Sequence, residues 1–112
     1  MNLGFLYGFS PLLLAIVLSG KVSTTRVEGR VGIQIDYKTG LIGHVYFYSP
    51  ARAVGLRKGD IVLEVDGEKG TDKNRHEIHG DPGSTVTLKI RRRQEEFTVR
   101  IERVERWKIK ER

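Results

Sequence analysis

Two runs of strict alternation near the end of the chain constrain its fold more than any other feature. In Thr85–Arg91, Val86, Leu88 and Ile90 fall on one face and Thr87, Lys89 and Arg91 on the other. Phe97, Val99 and Ile101 repeat the pattern a few residues later. Successive side chains of a strand point to opposite faces, so these are two half-buried strands. Upstream, Val31, Ile33 and Ile35 alternate with Gly32, Gln34 and Asp36, and the runs 41–48 (LIGHVYFY) and 61–65 (IVLEV) also have strand character. Turn signals separate them: Thr39-Gly40, Arg57-Lys58-Gly59-Asp60, Asp66-Gly67 and Gly80-Asp81-Pro82-Gly83. Ser49-Pro50 reads as the cap and first position of one helical turn, which Gly55 stops. Thr71 or Asp72 is placed to cap a longer helix running to His79.

The implied fold class is α+β, mainly β. It is a small, partly open β-barrel or sandwich of five to six strands, with one short and one longer helix. Four stretches follow in order: an apolar segment over 1–20, a polar linker over 21–29, the folded domain over 30–104 and a charged tail over 105–112. Trp107 and Ile109 are the tail's apolar members.

Met1–Gly20 carries no charged side chain and is apolar nearly throughout, densest at Leu12–Leu18. About 20 such residues suffice to span a bilayer, and the segment is read as a membrane anchor or signal segment, with a retained anchor favoured. The expected location is therefore membrane-associated, single-pass or exported. Lys21, Arg26 and Arg30 follow the apolar run, which by the positive-inside rule favours a cytoplasmic domain. The family resemblance below favours the opposite side, so orientation stays open.

Composition narrows the chemistry. The absence of cysteine removes disulfides, thiolate metal sites and cysteine nucleophiles. The net charge of +6 falls wholly on residues 21–112. Basic clusters at Lys89–Arg93 and Arg103–Arg112 are interleaved with or followed by glutamates, unlike the clean basic stripe that suits nucleic acid. His76 and His79 stand three apart without a further ligand nearby and are read as surface histidines rather than a metal site. Gly40 and Gly43 are too sparse for a phosphate loop. No Ser-His-acid set assembles, and the chain is read as a non-enzyme without cofactor, metal or small-molecule substrate.

Three segments form a pattern when taken together in this order and spacing. Ser49–Val62 follows the pattern SPAxxAGLxxGDxI, with Val54 for the usual alanine. Glu64-Val65-Asp66-Gly67 matches the end of the next strand, and Gly80–Leu88 matches GxPGSxVxL. Together they resemble the PDZ modules of bacterial carboxy-terminal processing peptidases; the resemblance covers about residues 30–104 and implies the circularly permuted form, without the protease domain that holds those enzymes' serine–lysine pair. Glu96–Val104 fits the permuted final strand.

The resemblance implies a carboxylate-binding loop at Arg30, Val31, Gly32 and Ile33, where consecutive backbone amides converge on a ligand's terminus. It implies a ligand-flanking strand carried on through Gln34 and Ile35, to which a peptide adds as an extra strand. The opposite groove wall falls on the second helix, with Asn74, Arg75 and Ile78. Twelve residues lie between Gly67 and Gly80, fewer than is usual for the family, and this helix is unusually polar. The expected function is a membrane-tethered module binding peptide or protein C-termini, as an adaptor or protease-associated regulator. Two alternatives remain open: an assembly module with a vestigial groove, or binding of anionic lipid or nucleic acid through the basic surface.

Overall fold

The computed structural model describes residues 27–111. The apolar segment 1–20 and most of the linker lie outside the described residues. Among those described, no helix is long and apolar enough to cross a membrane.

The elements in order are β1 (Gly29–Arg30), β2 (Ile33–Ile35), β3 (Ile42–Val45), α1 (Pro50–Ala53), β4 (Ile61–Val65), β5 (Glu68–Lys69), α2 (Asp72–Arg75), a 3-10 turn (His76–Ile78), β6 (Thr85–Arg92), β7 (Glu95–Glu102), β8 (Val104–Glu105) and a second 3-10 turn (Arg106–Lys108). They form a four-stranded sheet in the order β5-β4-β6-β7 and two two-stranded sheets, β2-β3 and β1-β8. There is no closed barrel. The expected longer helix is instead four residues followed by a single 3-10 turn, so both helices are short.

The alternation of the last two strands works as the sequence implies. β6 and β7 pair antiparallel with Val86 opposite Ile101, Leu88 opposite Val99 and Ile90 opposite Phe97. Val86, Leu88, Ile90 and Ile101 are fully buried, while Phe97 and Val99 are half-buried because β7 is the edge of its sheet. Val31, Ile42, Ala51, Leu56, Val62, Val65 and Ile78 complete the core. Each large aliphatic side chain withdrawn from water here stabilises the fold by about 1.5–3 kcal/mol.

Local chemistry fixes the connections. Asp66 and Gly67 both have positive φ, 51° and 83°, which is the backbone of a two-residue type I′ hairpin between β4 and β5. Ser49 caps α1 by accepting from the Arg52 amide at 3.1 Å, with Pro50 at the first position. Thr71 and Asn74 form a reciprocal capping box at α2. The Ala51 amide, at the start of α1, donates to the Val31 carbonyl at 2.9 Å, tying that helix to the backbone just before β2.

Candidate functional site at the edge of the second strand

Residues 30–33 make a tight loop. Gly32 sits at φ +92°, and a Cβ there would fall 2.2 Å from the Ser49 Cβ, so only glycine lets the loop close against the start of α1. The Tyr46 amide donates to the Gly32 carbonyl at 2.9 Å and the Asp36 amide to the Leu41 carbonyl at 2.9 Å. Gly32 and Asp36 thus face β3, while Ile33 and Ile35 stand opposite Val45 and Ile42 between the hydrogen-bonded positions. By the antiparallel alternation, the N–H and C=O groups of Ile33 and Ile35 point away from β3. Among the described residues, β2 has no strand on that side. The side chains divide the same way: Ile33 and Ile35 pack against the core, and Gln34 is exposed. Arg30, at the head of the loop, pairs with the exposed Glu28 at 3.1 Å.

The helix expected to form the second wall is committed to other work. The Asn74 side chain accepts from the Thr71 amide and donates to the Lys69 carbonyl, both at 2.7 Å. Arg75 is buried, and its guanidinium donates to the carbonyls of Val62, Tyr37 and Lys38. Ile78 is fully inside the core. A four-residue helix has too little surface to turn a row of side chains toward β2, so these three hold the helix in place instead. What stands beside the strand is aromatic. Tyr37 stacks on His76 with ring centroids 3.8 Å apart, and its hydroxyl meets His79 Nε2 at 2.7 Å.

His79 is therefore half-buried rather than a surface histidine, and its Nδ1 is buried without a hydrogen-bond partner. Burial is the largest cause holding its pKa below the ordinary 6.5, followed by the charge of Arg30, with His76 and Arg103 adding and Glu28 opposing. The folded state favours the neutral ring. Its contribution to stability is complete above the unfolded value of 6.5 and is lost as pH falls. Thermal unfolding followed from pH 7.5 down to 5.5 is expected to show a falling midpoint, with the fall reduced in His79→Gln. An unchanged fall in that variant would place its cause elsewhere.

A concavity of about 310 Å³ opens next to the loop. Arg30, Gly32, Ile33 and Gln34 line one side, and Tyr46, Arg106 and Ile109 the other. Gln34 Nε2 donates to the Tyr46 hydroxyl at 3.2 Å, which marks this as the outer face of the β2-β3 sheet. Arg106 and Ile109 come from the charged tail. β8 pairs with β1, Lys110 exchanges backbone hydrogen bonds with Tyr48 at 2.7 and 3.0 Å, and the Glu111 carboxylate meets His44 and the Phe47 amide. The tail is thereby folded back along the loop. Sequence reasoning missed Tyr46, Arg106 and Ile109 as site residues, and only the tertiary path of the tail reveals them. Tyr37 carried a usable signal, since it continues the inward positions 31, 33 and 35.

Two members of the basic surface named as an alternative are paired with acids. Lys89 lies 3.7 Å from Glu64 and 3.4 Å from Glu96, and Arg92 is paired with Asp60. Among the described residues, no three His, Cys, Asp or Glu side chains come together to hold a metal.

A tight loop leading into an edge strand, on a small mainly-β scaffold, defines a binding module. The chain belongs to the PDZ domain family, whose model matches residues 22–102. PDZ domains bind rather than catalyse. Among solved structures, the PDZ domain of a carboxy-terminal protease from Vibrio cholerae in complex with peptide is 25% identical, with a TM-score of 0.54 over 70% of this chain and 94% of that one. The HtrA-type protease AlgW with decapeptide is 19% identical, with a TM-score of 0.63 over 85% of this chain and 33% of that one. The photosystem II D1 C-terminal processing protease is 22% identical, with a TM-score of 0.61 over 86% and 27%. This chain thus spans about a third or less of those two proteases, matching their PDZ parts. No curated protein matches by sequence.

Proposed function

We propose that this PDZ module binds extended peptide or protein C-terminal segments as a strand added to Ile33–Ile35, with the terminal carboxylate received at Arg30–Ile33. The observation that carries the reading is the orientation of the Ile33 and Ile35 backbone groups, which face an edge that no strand of the described residues pairs with. An added strand gains main-chain hydrogen bonds there, and the Arg30 guanidinium supplies positive charge at the loop. Two of the three structures named above hold peptides, one of them within a PDZ domain aligned over 94% of its length.

Binding to the full chain is expected to depend on a free terminus. Peptides with a C-terminal carboxylate should lose about tenfold or more in affinity on amidation, the equivalent of about 1.4 kcal/mol, measured by fluorescence anisotropy. Equal affinity for both forms contradicts the carboxylate loop.

The uncharged segment 1–20 supports a membrane-tethered module, single-pass or exported, acting as an adaptor or a regulator beside a protease. Protease access to the domain in intact cells reads the side directly, and full solubility of the untreated chain after cell lysis contradicts the tether. A second reading, in which the module docks by a fixed surface and leaves its groove unused, draws on Tyr37, whose ring lies against the helix wall. Under that reading no peptide terminus binds.

A further inference from the structure

The folded-back tail places a second guanidinium beside the carboxylate loop. Arg106 lines the same concavity as Arg30, and no acidic side chain lines it with them. Arg30 shares its charge with the exposed Glu28, whereas Arg106 makes no ion pair with a described residue. Its backbone is pinned on both sides: the neighbouring Glu105 and Val104 pair with Gly29 and Arg30, and the Ile109 amide donates to the Arg106 carbonyl at 3.0 Å before Lys110 pairs with Tyr48. The side chain is exposed, so its position follows from this backbone path rather than from core packing.

Strand geometry says which part of a ligand would meet it. Along an added strand, alternate side chains point to opposite faces. Ile33 and Ile35 mark the inner face, and Gln34, with Tyr46 beside it, marks the outer one. Arg106 and Ile109 stand on the outer side, next to Gln34 and Tyr46.

We propose that the tail segment Arg106–Ile109 is a specificity element, and that it selects peptide C-termini with an acidic residue at the penultimate position. The terminal carboxylate lies at the loop with Arg30. The penultimate side chain turns to the outer face, where its carboxylate accepts from the Arg106 guanidinium while its methylenes lie against Ile109. The arrangement also explains why a short, polar second helix suffices, since selectivity comes from the opposite face. This inference rests on the strand-addition reading and names the ligand class for the same site.

The test uses the full chain and fluorescein-labelled ten-residue peptides that carry Glu, Gln or Lys at the penultimate position, with one carrying Glu at the last position instead, each as free acid and as amide. Free-acid peptide with Glu is expected to bind about threefold to fivefold more tightly than with Gln, the upper part of the range for an exposed ion pair. Arg106→Gln should bring the two within twofold, and Arg106→Glu should favour a penultimate Lys. Glu moved to the last position should not restore the preference. Arg106 is exposed, and an unchanged circular dichroism spectrum checks that the fold is intact. Equal binding of Glu and Gln peptides by the wild type, or a preference that survives Arg106→Gln, overturns the proposal. If binding requires the free carboxylate but ignores the penultimate charge, only the tail's role fails. If no peptide binds in any form, the strand-addition reading fails and this inference with it.

Discussion

Replacing Arg103 with methionine is expected to destabilise the domain by about 3 kcal/mol, because it strips hydrogen bonds from several carbonyls at once. Arg103 is only 8% exposed. Its Nε donates to the Ile78 carbonyl at 3.0 Å, Nη1 to the Ser84 hydroxyl and the Thr85 carbonyl at 2.9 Å each, and Nη2 to the Glu77 carbonyl at 2.6 Å. One side chain therefore joins the end of the second helical segment, the 80–85 loop and the β7-β8 junction. Methionine keeps much of the apolar stem but satisfies none of these acceptors. Lysine keeps the charge, yet a single ammonium lacks the fork needed to reach all four. With about 4–8 °C per kcal/mol for a domain of this size, the melting midpoint should fall by about 12–24 °C. A fall of less than about 4 °C, under 1 kcal/mol on the same scale, would remove Arg103 from the account of the fold.

The second large effect concerns Asp60, the acid of the Gly59-Asp60 turn. It is 1% exposed and is held by two Arg92 contacts of 2.8 Å and by the Arg57 amide at 2.9 Å. Burial is the largest influence on its carboxyl and pushes the pKa up. The Arg92 hydrogen bonds, the Arg57 amide and both positive charges together outweigh it, so the net shift is below the ordinary 3.8. A depressed folded pKa means stability that is fully present above the unfolded value and is lost as pH falls through the folded one. The wild type should therefore lose this contribution only below about pH 4. Arg92→Leu leaves a buried carboxylate without its main partner, and about 3 kcal/mol should be lost at neutral pH. The carboxyl pKa then rises, so acidification from pH 7 to 5 should partly restore the variant's stability relative to wild type. Denaturant unfolding at both pH values reads the two slopes. A variant that tracks the wild type in parallel would show that the pair does not hold the turn.

Much of this fold was legible before any coordinates. The alternation of Val86, Leu88 and Ile90 and of Phe97, Val99 and Ile101 gives the two strands β6 and β7 and the faces they turn inward. Asp66-Gly67 gives the β4-β5 turn, and Ser49-Pro50 gives the first helix. Two classes of feature were not legible. Arginine is rarely buried, so nothing in the sequence marks Arg75, placed on a groove wall, or Arg103, placed in a basic cluster, as interior groups that serve carbonyls left over by irregular backbone. The resemblance puts Arg75, together with Asn74 and Ile78, on a groove wall. A helix of one turn cannot spare them, since each is occupied by a cap, a carbonyl cluster or the core. The tail is the other class. Nothing local in Arg106–Glu111 announces that it returns to Tyr48 and His44, because its pairing is set by residues about sixty positions away. By contrast the family resemblance placed the loop at Arg30–Ile33, and residue types within it agree with its shape. Gly32 marks the close approach to Ser49, and the Ile33–Ile35 alternation sets which backbone groups face outward.

That outward orientation is the centre of the functional account, and amide-resolved hydrogen exchange and chemical shifts measure it most directly. In the free protein the Gln34 amide, paired toward His44, should exchange slowly, while the Ile33 and Ile35 amides should exchange fast. Adding a peptide with a free C-terminus should slow and shift Ile33 and Ile35 together and leave Gln34 little changed, and the amidated peptide should do neither. If a broad panel of C-terminal peptides leaves the Ile33 and Ile35 amides unchanged, strand addition at β2 is contradicted.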